Sequence, residues 1–332
     1  METIYAGVDL GGTKILTALS DNEGNLLGRH RLNTEAQKGQ QKIIENIFRS
    51  LSRAAGRGGI ELSDLQAVGV GSPGPLDPEE GIVHATSNLP FSDFPLKNML
   101  KEKIDLPVYV DNDANAAALG EYLFGAGQGG GDQIYITVST GVGGGVIIDG
   151  EIYHGSGSGA GEIGHMIINP GGPTCGFGQH RGCLEAMASG TAIAREASRV
   201  IETGRAPELK SRLYDACIDP KKAKIPGDLI ADAAREGNEA LRAVFKEMGF
   251  YLGIGAANLI SIFNPDRIIF GGGVMEARDL FWEEMLISLG DHALVSSRQE
   301  CELLEAELGE ETGVIGALAL ALKAENRNGS SS

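Results

Sequence analysis

The feature that most limits what this chain can fold into is a pattern that occurs twice. Residues Ile4 to Val8 form an apolar run, Gly11-Gly12 a turn, Ile15 to Leu19 a second run, and Asp21-Asn22-Glu23-Gly24-Asn25 breaks the chain before Leu26-Leu27. From Gln133 the pattern returns. Ile134 to Val138 is apolar, Thr140-Gly141-Val142-Gly143 reads as a turn, Val146 to Ile148 is apolar again, and Asp149-Gly150 is a hairpin signal. Two copies of strand, glycine turn, strand, turn, strand, one opening each half, imply two similar domains facing each other across a cleft, the usual place for a ligand.

The remaining pattern is α/β. Ile43, Ile44, Ile47, Phe48 and Leu51 share one face at helical spacing, while Val68 to Gly71 and Val108 to Val110 read as buried strands followed by polar or small residues. Helices are predicted around Leu229 to Ala234 and from about Glu239 to Phe263, where Asn264-Pro265 ends the helix. Arg267 to Phe270 is a strand running into Gly271-Gly272-Gly273, and Asp279 to Leu289 reads as a helix. Val314 to Leu322 is an alanine-rich helix expected to pack back on the first domain. The predicted division is a smaller domain of residues 1–115 with 310–324, a larger one of 116–309, and a disordered polar tail over 325–332.

Length and charge narrow the function classes. A chain of 332 residues with 42% apolar content supports two buried cores. With 28 basic against 45 acidic residues the net charge is −17, which repels polyanions and argues against nucleic acid or an anionic membrane as partner. No apolar run is long enough to span a bilayer, and Met1-Glu2-Thr3 carries no basic or apolar leader, so a cytoplasmic protein is expected. The four cysteines fit no secreted disulfide framework, and Cys175 and Cys183 lie in one loop.

Asp9-Leu10-Gly11-Gly12-Thr13-Lys14 places an acid at a strand end before a turn without side-chain bulk. Backbone N–H groups and the Thr13 hydroxyl can approach phosphate oxygens there, and Asp9 suits Mg²⁺ held through water. The recurrence as Thr140-Gly141-Val142-Gly143 suggests that two turns hold one polyphosphate. Neither turn is a Walker loop or a G-x-G-x-x-G opening a long helix, which disfavours a Rossmann dehydrogenase. Gly271-Gly272-Gly273-Val274 offers bare backbone to the flat face of a nucleoside. Asp111-Asn112-Asp113-Ala114-Asn115 follows a buried strand and opens a helix, putting Asp113 near the N-cap. A carboxylate there can take the proton of an attacking hydroxyl while an adjacent amide fixes another hydroxyl.

In this order, Asp9-Leu10-Gly11-Gly12-Thr13-Lys14, Ser72-Pro73-Gly74-Pro75-Leu76, Asn112-Asp113-Ala114-Asn115-Ala116, Glu162-Ile163-Gly164-His165 and Gly182-Cys183-Leu184-Glu185 resemble the motifs of the ROK family of sugar kinases, its bacterial glucokinases in particular. The resemblance runs from about Ile4 to Leu322. It implies a two-domain actin and hexokinase type of fold, ribonuclease H-like, with the active site in the interdomain cleft. It also implies phosphorylation of a hexose, glucose first, at the 6-hydroxyl by ATP and Mg²⁺. Asp113 would be the base, with Gly74, Asn88, Asn112, Glu162, His165 and Glu185 lining the sugar site. Asp9, Gly11, Gly12, Thr13, Lys14, Thr140, Gly141 and Gly143 would hold phosphates and metal, and Gly272 and Gly273 would approach the nucleoside. A homodimer or homotetramer is implied as well.

The same resemblance implies a structural zinc bound by the histidine of Glu-x-Gly-His and three cysteines of Cys-x-Cys-Gly-x-x-Gly-Cys. Here the loop reads Cys175-Gly176-Phe177-Gly178-Gln179-His180-Arg181-Gly182-Cys183, with Phe177 at the middle cysteine and one residue added. Two readings stand. His165, Cys175, Cys183 and His180 form a mixed zinc set, or Phe177 packs into the metal's space and the thiols are ordinary buried groups.

His30, His84, His154 and His292 stand apart from any cluster and read as surface or core residues, and Cys217 and Cys301 have no partner signal. Related alternatives are kinases for N-acetylmannosamine, N-acetylglucosamine or fructose, and polyphosphate in place of ATP as donor. A sugar-responsive repressor of the same family would need an N-terminal helix-turn-helix, for which the early phosphate strand leaves no room. An actin-like or chaperone ATPase is disfavoured by the polar sugar motifs.

Overall fold

The structure, a computed structural model, describes residues 3–86, 88–176, 178, 180–220 and 223–330. Strands β1 (Ile4–Leu10), β2 (Lys14–Ser20) and β3 (Leu26–Asn33) open the chain and are followed by helix α1 (Gln40–Gly58) and strand β4 (Leu65–Ser72). Three short strands, β5 (Leu76–Asp77), β6 (Ile82–Ala85) and β7 (Ser92–Phe94), form a small sheet of their own. Helix α2 (Leu96–Ile104), strand β8 (Val108–Asn112) and helix α3 (Asp113–Phe124) complete the first copy of the repeat. The second copy begins with β9 (Gln133–Val138), β10 (Val142–Ile148) and β11 (Glu151–Ile152). Helices α4 (Leu184–Ala188), α5 (Gly190–Glu202), α6 (Pro207–Asp215), α7 (Gly227–Arg235) and α8 (Glu239–Phe263) follow. Strand β12 (Arg267–Gly271), helices α9 (Trp282–His292) and α10 (Val295–Glu300), strand β13 (Glu302–Glu305) and helix α11 (Thr312–Ser330) close the chain.

The two five-stranded sheets run β3-β2-β1-β4-β8 and β11-β10-β9-β12-β13. Each lists its strands in the same relative order, so the duplicated sequence pattern becomes a duplicated topology. In the first, β1 pairs antiparallel with β2 and parallel with β4, which in turn pairs parallel with β8. The Asp149-Gly150 signal holds: both residues have positive φ, 52° and 74°, the geometry of a two-residue type I′ hairpin turn.

The chain forms two compact units, Met1–Tyr135 with Gly145–Gly161 and Glu305–Ser332, and Ile136–Gly144 with Glu162–Leu304. This division differs from boundaries at 115 and 309. Helix α3 packs against α11 so closely that Gly316 lies against the Ala116 backbone, and α3 therefore belongs entirely to the first unit. Fully buried Glu121 on α3 adds to this tie, accepting from the N–H groups of Ala126, Glu307 and Leu308 at 3.0, 3.1 and 3.1 Å.

In the first unit the period of two along β1 divides the core. Ala6, Val8 and Leu10 join Ile43, Ile44, Ile47 and Leu51 of α1, whereas Tyr5 on the opposite face packs with Val314 and Leu318 of α11. Burying each such aliphatic side chain is worth about 1.5–3 kcal/mol. In the second unit α8 packs against α9, α4, α5 and α7. Asn264 ends α8 in the left-handed region, φ 45°, and its N–H donates to the Ile260 carbonyl.

Three local expectations change. Val142 and Gly143 lie in β10, so the second turn is tighter, closed by the Ser139 N–H donating to the Gly141 carbonyl at 2.9 Å. The helix expected from Asp279 begins at Trp282, because Gly273–Leu280 is 3₁₀-like with a kink at Ala277. Helix α11 runs on to Ser330, past Glu325, where a disordered tail was expected to start. Tyr109 Oη donates to Glu325 Oε1 at 2.6 Å and Gln66 Nε2 to Oε2 at 3.3 Å, which holds that turn on the sheet.

Candidate functional site

The candidate residues of the first unit gather at the ends of β1, β4 and β8. Turn Gly11–Thr13 is closed by the Gly11 N–H donating to the Lys14 carbonyl at 2.9 Å. Thr34 fastens it from outside, its N–H donating to the Thr13 carbonyl at 2.9 Å and its hydroxyl to the Gly11 carbonyl at 2.6 Å. A Cβ on Gly12 would fall 2.7 Å from Asn88 Cβ, so Asn88, expected at the sugar, abuts the Gly11–Thr13 turn. Asp9 is half-buried beside this turn. Desolvation holds its carboxyl above the usual range, with the Lys14 charge opposing. A desolvated carboxylate of this kind gains more than an exposed one from a divalent cation, as a Mg²⁺ ligand would. Gly313 of α11 was not anticipated; a Cβ there would lie 2.9 Å from Asp9 Cγ.

Strands β4 and β8 pair Ser72 with Asn112, bringing the Ser72-Pro73-Gly74 segment beside the start of α3. A Cβ on Gly74 would lie 3.1 Å from Asn112 Nδ2. The N-cap of α3 is Asn112 rather than Asp113: its Oδ1 accepts from the Ala114 N–H at 2.9 Å. Asp113 is the first helical residue, and its Oδ1 accepts from the same N–H at 2.8 Å. Its side chain is exposed, open to an entering hydroxyl and not shielded from water.

The second unit carries the other set. Thr140 is held by α5, whose Thr191 donates to the Thr140 carbonyl from its N–H at 3.2 Å and its hydroxyl at 2.8 Å. Glu185, in the first turn of α4, accepts the Val142 N–H at 3.1 Å. A Cβ on Gly141 would come within 2.2 Å of that carboxylate, so only glycine fits this close approach. The Glu162-Ile163-Gly164-His165 turn packs on β10 through Gly164 and the Val142 carbonyl. Gly272, φ 91°, follows β12 against the Val138 carbonyl, while a Cβ on Gly273 would meet open space. Gly143 lies inside β10.

His165 links two candidate groups. Its Nε2 lies 3.9 Å from Glu162 Oε2 and its Nδ1 3.6 Å from Cys175 Sγ. One ligand atom each from His165, Cys175, His180 and Cys183 lies within 4.8 Å of all the others. Ligands about 2.0–2.3 Å from a tetrahedral zinc are roughly 3.3–3.8 Å apart, so a small contraction suffices. Buried His180 Nε2 has no hydrogen-bond partner among the described residues, an orphan that a metal would satisfy. Burial and the neighbouring Cys175 push the Cys183 thiol up to about 11, so a thiolate there needs a cation. The donor set fits zinc. The alternative occupant, Phe177, lies outside the described residues.

Of the histidines read as isolated, His154 is not: its Nε2 lies 2.7 Å from Asp111 Oδ2. His84 pairs with Asp93 at 2.9 Å and His292 Nδ1 lies 2.7 Å from the Ser288 carbonyl, while His30 is buried. Cys217 is exposed and Cys301 buried, both as free thiols. No helix among the described residues is long and apolar enough to cross a membrane.

The chain is 37% identical to a glucokinase of Halalkalibacterium halodurans over 97% of its own length and 96% of the relative's. A ROK family glucokinase from Streptomyces griseus, solved in complex with glucose and AMPPNP, superposes with a TM-score of 0.81 at 35% identity, covering 96% of this chain and 99% of that one. A ROK hexokinase from Thermus thermophilus gives a TM-score of 0.82 at 32% identity over 98% and 100%. With the ROK family model matching residues 5–324, the chain belongs to the ROK family and has its two-domain, actin-like α/β fold.

Proposed function

We propose that this protein is an ATP-dependent hexose kinase that converts glucose to glucose 6-phosphate. The observation that carries the reading is the exposed carboxylate of Asp113 at the start of α3, flanked by the Asn112 amide and Gly74, in a ROK family member similar to glucokinases. Asp113 accepts the proton of the sugar 6-hydroxyl as its oxygen attacks the γ-phosphorus, and ADP departs. Asn88, Asn112, Glu162, His165 and Glu185 supply amides, carboxylates and an imidazole for the other hydroxyls, which a polyol needs if analogues lacking one are to be rejected. The Gly11-Gly12-Thr13-Lys14 and Thr140-Gly141 turns, with Gly143, hold phosphates, and Gly272-Gly273 approaches the nucleoside. Asp9 would hold Mg²⁺ through water, and the ion would supply charge neutralisation on the transferring phosphoryl group. A cytoplasmic homodimer or homotetramer belongs to the same reading.

A panel of sugars with ATP tests it. ADP release is expected to depend on sugar, with kcat/KM for glucose at least ~10-fold above that for fructose, N-acetylglucosamine or N-acetylmannosamine. A preference for another sugar moves the substrate and keeps the class. Sugar binding without ADP release would make the chain a sugar-sensing regulator, and ADP release without sugar an actin-like ATPase. Replacing ATP by polyphosphate in the same assay decides the donor.

Zinc is the second element of the proposal, held by His165, Cys175, His180 and Cys183. It would fix the loop before α4, which carries Glu185, and hold His165 through Nδ1 with Nε2 turned toward Glu162. Elemental analysis of the purified protein is expected to give one zinc per chain, and His180→Ala to lose most of it. Equal zinc in both would exclude His180 as a required ligand.

A further inference from the structure

The proposed base sits two residues after Asp111, a buried acid with no part in the chemistry, 4% exposed. Asp111 uses both carboxylate oxygens. Oδ1 accepts the Asn112 N–H at 2.7 Å and Asn115 Nδ2 at 2.9 Å, and Oδ2 accepts from His154 Nε2 at 2.7 Å. His154 stands in the loop after β11, so one carboxylate ties that loop to both sides of Asp113, to the residue before it by backbone and to the first turn of α3 by side chain.

We infer that His154 is a positioning residue for phosphoryl transfer, holding Asp111 so that the β8–α3 junction presents Asp113 in its reactive orientation. This rests on the reading of Asp113 as the base. The cations nearby are otherwise engaged. A cavity of about 250 Å³ beside the pair is lined by Glu79, Tyr109, Glu151, Lys323 and Arg327. There Lys323 and Arg327 both ion-pair with Glu151. The charge-assisted hydrogen bond to Asp111 thus comes from His154, whose pKa that bond raises above the ordinary imidazole value against the opposing effect of burial. Without it, Asp111 Oδ2 is a buried acceptor lacking this donor, and the carboxylate can turn away from Asn112 and Asn115. A shift of the base by a fraction of an ångström lowers the rate without touching nucleotide binding.

The test uses the full-length protein, the sugar that turns over best, and ATP. His154→Phe keeps ring volume and removes the donor; it is expected to lower kcat about tenfold and leave the KM for ATP within about twofold. His154→Gln, whose amide reaches the place of Nε2, should restore kcat to within about threefold of wild type, whereas His154→Asn, too short to reach, should not. Adding His154→Phe to Asp111→Asn should cause no further loss if the histidine acts through that carboxylate. Wild-type kcat in His154→Phe, equal kcat in the Gln and Asn variants, or multiplicative losses in the double variant would overturn the inference. If the Phe variant does not fold, the ratio of Gln to Asn decides alone. Asp113→Ala is measured in parallel. Normal turnover there removes the base and this inference with it, whereas an inactive Asp113→Ala beside a normal His154→Phe removes the positioning role alone.

Discussion

Asp113→Ala is expected to lower kcat at least ~100-fold, the usual scale for losing a general base, with little change in ATP binding or folding. The fold survives because the helix start does not depend on this side chain. Asn112 Oδ1 also accepts the Ala114 N–H, at 2.9 Å, and keeps that donor satisfied when the Asp113 carboxylate is removed. Asp113 is exposed, so truncation opens no cavity, and a stability change within about 1 kcal/mol is expected. Asp113→Asn is nearly isosteric and not basic; it should lose about as much activity as alanine. Steady-state kinetics with a nucleotide-binding titration checks both variants. A turnover within a few-fold of wild type would take Asp113 out of the base role and leave the family assignment standing.

The second large effect is on stability. Gly69→Ala is expected to cost about 3 kcal/mol or to abolish folding, because a Cβ there lands 1.9 Å from the Ala317 carbonyl oxygen and 3.1 Å from the Ala321 N–H nitrogen of α11. Both are backbone atoms, so no rotamer change relieves the clash and the helix must move off the sheet. Gly7 on β1 meets the same helix at the Leu318 N–H and the Val314 carbonyl, each 2.5 Å from a Cβ there, which marks the whole contact as one of bare backbone. Lifting α11 would also carry Gly313 away from Asp9, so residual activity should fall together with stability. Gly56→Ala is the control. It is exposed on α1 with nothing within 4 Å, and alanine there should be neutral or stabilising by up to about 1 kcal/mol. Urea unfolding of the two variants gives the comparison; a Gly69→Ala midpoint near wild type would mean that α11 does not rest on β4 as described.

Much of the fold was legible because it is written in local periodicity. The opening strands, their glycine turn, the Asp149-Gly150 hairpin and the span Glu239–Phe263 follow from alternation, positive-φ signals and a helical face, which depend on neighbours a few residues apart. The short elements were not legible. Strands β5 to β7 and helices α2 and α6 carry too few residues for a period to rise above the background, whereas the 13 residues of α5 do bury Ile193, Ala197, Val200 and Ile201 at helical spacing, a period open to reading from the sequence. Helix α11 extends beyond its alanine-rich stretch for a related reason. Residues from Glu325 onward are polar, yet Tyr109 and Gln66 give Glu325 partners that polarity alone does not announce.

The candidate site divides the same way. By itself the sequence determined the family, the duplicated strand-and-turn plan, and which acids, amides and glycines are the candidates for phosphoryl chemistry, since these lie in short motifs whose spacing is set by the backbone. Only the tertiary structure decided which distant side chains meet. It set His154 on Asp111 across 43 residues, brought His180 to His165 and the two thiols, and pressed α11 onto Gly7 and Gly69. A residue's local pattern fixes the face on which it projects. The partner it finds there is fixed by how whole helices and sheets pack, and that packing involves many contacts that no short stretch of chain contains.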